Sequence, residues 1–119
     1  EPGDGLPIQA DAEIVFSDLD APTWDFIKAL GPYGEENPVP VFVTRKLTPL
    51  QVRTMGAGGR HLRMVLGDGV DTWDAIGFGL GDAPLGGGTV DAIYSLRTNT
   101  WRGRTKRELH LLDVRPSTV

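Results

Sequence analysis

The chain has 119 residues, no cysteine, two histidines, and 16 acidic against 12 basic side chains, for a net charge of −4. That length supports one domain with a core of its own, while the missing cysteine excludes disulfides and thiolate chemistry and, with so few histidines, argues against a zinc site. No apolar run approaches membrane-spanning length and no basic start followed by an apolar stretch marks a secretory leader, so a cytoplasmic protein without a membrane partner is expected.

Sixteen glycines and nine prolines are many for a helical protein and suit a small barrel with frequent turns. Residues 1–7 are rich in Gly and Pro and are expected to fray; because the chain begins at Glu1 rather than Met, it is read as a fragment of something longer. Ile8 to Phe16 alternates apolar and polar residues, a period-two signal for a half-buried strand. Pro22-Thr23 then opens a short helix with Thr23 as a candidate cap, and Phe26, Ile27 and Leu30 share a face of it. Gly31-Pro32 stops that helix. The stretch from Leu30 to Phe42 holds two glycines, three prolines, Asn37 and Tyr33. Neither a helix nor a central strand passes through so many prolines, and Gly34 and Asn37-Pro38 add turn chemistry, so it reads as a shaped corner between a helix and a barrel. Tyr33 is expected to pack in that corner.

Val41 to Met55 reads as a long strand with a bulge or edge position at Pro49. A turn at 56–60 leads into His61–Leu66, with Leu62, Met64 and Leu66 on one side. Gly67-Asp68-Gly69 turns into Thr72–Gly79, where Ile76 and Phe78 are expected inward and Trp73 out of phase, packed against the Gly-rich residues 80–88. Thr89 to Arg97 alternates with Val90, Ala92, Tyr94 and Leu96 inward, a polar loop covers Thr98–Lys106, and Arg107–Val114 closes the sheet. Five strands joined by short connections predict a small closed barrel, since closure spares so short an antiparallel sheet its open edges. The expected organisation is an N-terminal strand, helix and corner over residues 1–40, a barrel over 41–115 and a tail at 116–119.

Charge is segregated along the chain. Residues 1–25 carry seven acids and no Lys or Arg, 26–67 six bases and two acids, 68–91 five Asp and no base, and 92–119 six bases and two acids. A positive rim on a negative domain is therefore feasible, and the local field outweighs the net charge for a charged partner. Binding of single-stranded nucleic acid needs cations along the phosphates and flat rings under the bases. Arg97, Trp101, Arg102, Arg104, Lys106 and Arg107 supply both near the last hairpin; Arg60, His61 and Arg63 supply cations at the start of the second barrel strand. Each has a plainer reading: an Arg-rich hairpin is commonly a solvated tip, Trp101 is equally compatible with a core plug, and His61 and His110 suit an ordinary strand surface.

Catalytic constellations are missing. Glu35 and Glu36 are adjacent and diverge rather than face one bond. Asp68, Asp71 and Asp74 lack the Gly and distant Glu of a calcium loop, and no nucleophile elbow, phosphate loop or dinucleotide fingerprint occurs.

The segment Leu30-Gly31-Pro32-Tyr33-Gly34-Glu35-Glu36-Asn37-Pro38-Val39-Pro40-Val41-Phe42 resembles the L-x-P-[FY]-G-x-x-N-P-x-P-x-F signature before the oligonucleotide/oligosaccharide-binding (OB) domain of RecJ-type single-strand-specific 5′→3′ exonucleases. Gly59–Arg63, Ala75–Gly79, Asn99–Gly103 and Leu109–Leu111 follow in the order of that family, so the resemblance spans roughly Ile8 to Arg115; Glu35-Glu36 departs from the small residue and Gly more usual there. It implies a mainly β, OB-fold-like five-stranded barrel preceded by one strand and one short helix. It further implies a single-stranded-DNA-binding module that positions the strand for a nuclease core of the same parent protein, in DNA repair and recombination. Tyr33, Gly34, Asn37 and Pro38 would form the structural corner. The metal-binding Asp-His-His motif of those nucleases is absent, so this chain alone is expected to be no enzyme and to need no cofactor, with Mg²⁺ or Mn²⁺ in the parent's catalytic domain. Other repair proteins are further candidate partners, and the alternative is a structural or docking domain that braces the nuclease.

Overall fold

The computed structural model describes residues 10–29 and 40–117. The corner residues Tyr33, Gly34, Asn37 and Pro38, the start of the chain and Leu30 lie outside them.

Among the described residues the strands and the α-helix follow in order: β1 (Ala12–Glu13), α1 (Ala21–Ala29), β2 (Phe42–Met55), β3 (His61–Gly67), β4 (Thr72–Gly77), β5 (Val90–Trp101) and β6 (Arg104–Pro116). Strands β2, β3, β4, β6 and β5 are neighbours in that order, and β5 pairs back onto β2. The ring thus closes as a five-stranded barrel, as its short alternating strands predict. Every pairing in the ring is antiparallel except β4 with β6. Strand β1 adds parallel to the edge of β2 at Phe42 and Val43.

Alternation places the core. Leu62, Met64 and Leu66 from β3, Val90, Ala92, Tyr94 and Leu96 from β5, and Leu109 and Leu111 from β6 fill the interior at 6% exposure or less, as their period-two spacing requires; Val114 joins them across a register shift after Leu111. Within β2, Pro49 sits at the expected register shift against β3, and a second irregularity falls between Thr44 and Leu47. The buried Tyr94 hydroxyl lies 2.8 Å from Thr44 Oγ1. Thr44 spends its one proton on the Ile14 carbonyl at 2.9 Å, so Tyr94 is the donor, and one chain of hydrogen bonds ties β5 to β2 and to the segment after β1. Burial pushes the Tyr94 pKa up to about 12, against the lowering effect of the Thr44 bond.

Five expectations are corrected. The predicted strand Ile8–Phe16 is, among the described residues, only Ala12–Glu13; Phe16 instead opens a single 3₁₀ turn and is buried at 2%. Helix α1 is capped by Asp20, whose Oδ1 accepts from Thr23 N–H at 2.9 Å, not by Thr23. The buried residue of α1 is Trp24, at 1% exposure, whereas Phe26 is 67% exposed. In β4 the phase is inverted: Ala75 joins the core with Trp73 packed against it, while Ile76, though buried at 5% exposure, pairs with Arg63 on the outward phase of β3. Finally, the predicted loop Thr98–Lys106 is a continuous hairpin turning only at Arg102-Gly103. Both turn residues have positive φ, 51° and 75°, the requirement of a two-residue type I′ turn that follows the strand twist. Gly103 is thereby explained; Arg102 takes the left-handed conformation at some cost.

Candidate nucleic-acid interface

Directly paired residues of a sheet project from the same side, so the registers define the outer face without further assumption. On β5 and β6 the outward pairs are Ser95 with His110, Arg97 with Glu108, Asn99 with Lys106 and Trp101 with Arg104. His110 pairs with Ile76, Ile76 with Arg63, and Arg63 with Arg53. One continuous surface therefore runs from the hairpin tip across β6, β4 and β3 to β2, carrying Trp101, Arg104, Lys106, Arg97, Arg63 and Arg53.

The tip is open. Trp101 is 66% exposed, which removes the core-plug reading, and the Arg102 guanidinium lies 4.5 Å from its ring centroid. At the other end Arg60 is exposed on the β2–β3 turn, and its carbonyl accepts from Gly81 N–H at 2.9 Å. His61 starts β3 on the outward phase, where its Nδ1 accepts from Gly79 N–H at 3.0 Å. Arg107 is separated from the others: it pairs with Thr98 on the opposite side of the hairpin and bonds Asp25 Oδ1 at 3.0 Å with its guanidinium over Trp24.

The middle of the face is less positive than its cations suggest. Glu108, at 1% exposure, lies between two of them, its Oε2 accepting from Arg97 Nε at 2.9 Å and its Oε1 3.8 Å from Arg63 Nη1. Lys106 is paired with Asp74. Among the described residues Arg53, Arg60, Arg102 and Arg104 have no ion-pair partner, so the uncompensated charge sits at the two ends of the surface. Between Arg53, Arg63, Asp74 and Lys106 lies a shallow cleft of about 120 Å³.

Sequence reasoning missed Glu108, Asp74 and Phe78. The first was readable: with Leu109 and Leu111 inward, Glu108 must share the side of Lys106. Asp74 and Phe78 followed the inverted phase of β4, where apolar residues occupy both parities and the pattern alone does not choose.

Among the described residues no group of three or more His, Asp or Glu is placed to hold a metal ion, and no helix is long and apolar enough to cross a membrane.

The sequence model described as RecJ OB domain matches residues 10–113. The chain belongs to the RecJ OB domain family. The single-stranded-DNA-specific exonuclease RecJ of Bacillus subtilis (strain 168) is 25% identical over 115 residues, which are 93% of this chain and 15% of that protein. Crystal structures of RecJ from Thermus thermophilus in complex with Mg²⁺ and with Mn²⁺ superpose with a TM-score of 0.63 and 29% identity, over 81% of this chain and 14% of theirs. A putative aspartyl-tRNA synthetase from Leishmania major Friedlin aligns over 98% of this chain and 23% of its own, with a TM-score of 0.54 and 16% identity, a likeness of fold alone. The chain therefore spans about 15% of the length of the RecJ relative it matches.

Proposed function

We propose that this domain binds single-stranded DNA on the outer face of β3, β4, β5 and β6 and positions it for the nuclease core of a RecJ-like 5′→3′ exonuclease acting in DNA repair and recombination. The chemistry of cleavage, with Mg²⁺ or Mn²⁺, belongs on this reading to that core and not to this chain. The observation that carries it is the alignment of an exposed indole, Trp101, with Arg104, Lys106, Arg97 and Arg63 on one side of the sheet. Cations track the phosphates and the indole stacks a base, a combination that tolerates any sequence. Arg60, His61 and Arg102 extend the positive surface at its two ends. Because Glu108 and Asp74 neutralise its centre, affinity comes mainly from the ends and is modest.

Titration with a single-stranded oligonucleotide at two salt concentrations tests this. Three to five phosphate contacts give a log–log salt slope of about −2 to −3.5, and Trp101→Ala weakens binding by roughly 1–3 kcal/mol while shifting folding stability by no more than about 0.5 kcal/mol, since the ring is mostly solvated. Salt-independent binding, or none at micromolar protein and low salt, overturns the reading.

The second reading is a bracing or docking domain, favoured by the exposure of Phe26 and Val15, at 67% and 55%. Reversing the charge of Arg102 and Arg104 separates the two. Loss of DNA binding by a folded variant supports the first; unchanged DNA binding with loss of a protein partner supports the second.

A further inference from the structure

Phe78 follows β4 on its outward phase, between Gly77 and Gly79, and is 46% exposed. Its ring is braced on two sides. His61 stands edge-on to it at 5.5 Å and 75°, and His110 at 5.6 Å and 76°. The bond from Gly79 N–H to His61 Nδ1 fastens the backbone just beyond Phe78 to the start of β3; Gly79 has a φ of 77°, open to a residue without a side chain. The Arg97 guanidinium lies 5.4 Å from the Phe78 centroid and is itself held by Glu108. An aromatic ring fixed by three neighbours, with an oriented guanidinium over one face and nearly half its area still in solvent, offers its exposed side as a flat support next to a phosphate contact.

The geometry points to Phe78, walled by His61 and His110, as a stacking subsite for an unpaired nucleobase, the second on this face after Trp101. The inference rests on the single-strand reading above and deepens it. Its second support is alignment: Arg97 and Trp101 are outward residues of the same strand, about 13 Å apart along it at some 3.3 Å per residue. A strand with one base on Trp101 therefore continues over Lys106 and Arg97 to Phe78. The ring and the indole would hold bases while the cations between them meet the backbone.

The test compares binding of oligo(dT) and of an abasic oligonucleotide of equal length by the wild-type chain, Phe78→Ala, Phe78→Leu and Trp101→Ala, measured by fluorescence anisotropy at low salt. A stacking contact predicts that Phe78→Ala binds oligo(dT) roughly 5- to 150-fold more weakly with abasic binding unchanged. Phe78→Leu keeps apolar volume but loses the flat face, so it shows the same selective loss with a wild-type thermal midpoint, and it decides the matter should the alanine variant unfold. Wild-type oligo(dT) affinity in folded Phe78 variants, or an equal loss for both oligonucleotides, overturns the subsite. Should Trp101→Ala still lose affinity in that case, the general reading stands. Absence of binding by the wild-type chain overturns both.

Discussion

Trp24 of α1 lies flat on Trp73 of β4, with ring centroids 5.0 Å apart and planes 11° from parallel. The two indoles join the helix to the barrel, and Phe16 and Leu19 from the same N-terminal segment enter the common core. The helix is only nine residues long, too short to hold in water by itself. Its order therefore comes from what Trp24 buries.

Trp24→Ala should accordingly be the most damaging single truncation in α1. Removing a fully buried indole costs about 3–5 kcal/mol, a large part of the roughly 5–15 kcal/mol typical of a small domain. Urea denaturation monitored by circular dichroism measures it. Phe26→Ala, at a position 67% exposed, should change stability by no more than about 0.5 kcal/mol; equal effects of the two substitutions would refute this assignment of the buried face.

How far the sequence reveals the molecule follows from which signals were redundant. Strands β3 and β5 alternate apolar inward residues with mostly polar ones on the other parity, Val65 and Ile93 excepted, and their inward residues were legible one by one. Strand β4 carries Trp73 and Ala75 on one parity and Ile76 and Phe78 on the other, so its orientation is decided by Trp24, a residue some fifty positions away. The helix face read from Phe26, Ile27 and Leu30 left out Trp24, whose burial again depends on Trp73. The last hairpin read as a loop because Thr98–Lys106 is polar. A projecting two-stranded ribbon has no interior face to bury, and its strands are held by cross-strand bonds such as those between Thr100 and Thr105. The cationic rim was legible as composition, and so was the side of the sheet on which Glu108 lies, but not the ion pairs that neutralise the centre. The pairing of Glu108 with both Arg63 and Arg97 requires β3 and β5 to flank β6 on its two sides, β3 across the intervening β4, an order that only the barrel provides.

Gly81 should not accept a side chain. A Cβ there would collide with the Gly59 carbonyl oxygen, and the Gly81 N–H already bonds the Arg60 carbonyl in the same turn. Because the obstacle is backbone, relief requires moving either the β2–β3 turn or the Gly-rich connection after β4. Gly81→Ala is expected to cost roughly 1–3 kcal/mol, the range of an overpacked interior. Gly87, which has open space around its Cβ position but a φ of 77°, should show only the smaller strain of a left-handed alanine, about 1 kcal/mol. Equal losses at the two positions would contradict the clash.

Burial holds the His110 imidazole below its usual titration range, Arg97 pushes it the same way, and Glu108 opposes them. A histidine depressed in the folded state binds fewer protons there than in the unfolded chain. Its contribution to stability is therefore complete above the ordinary value of 6.5 and is lost as pH falls below it. Stability measured by urea unfolding should decline as pH falls through the ordinary value of 6.5, and His110→Gln should flatten that decline. A variant with the wild-type slope would place the titration elsewhere.

Glu108→Gln tests whether the centre of the face is held neutral at the expense of binding. The carboxylate is buried, yet Arg63 and Arg97 keep 23% and 37% of their side chains exposed, so both can rehydrate once the acid is neutralised. The stability cost should therefore fall at about 1–3 kcal/mol, that of a lost charged hydrogen bond, below the roughly 3–5 kcal/mol of a fully stranded ion. Two guanidiniums then become available to phosphates. Affinity for single-stranded DNA should rise at low salt, and the log–log salt slope should steepen by about 0.7 for each phosphate newly engaged. Anisotropy titrations of the folded variant at two salt concentrations give both quantities. Weaker binding with an unchanged slope would mean instead that Glu108 serves the strand by aiming the two arginines, and that its negative charge is no barrier.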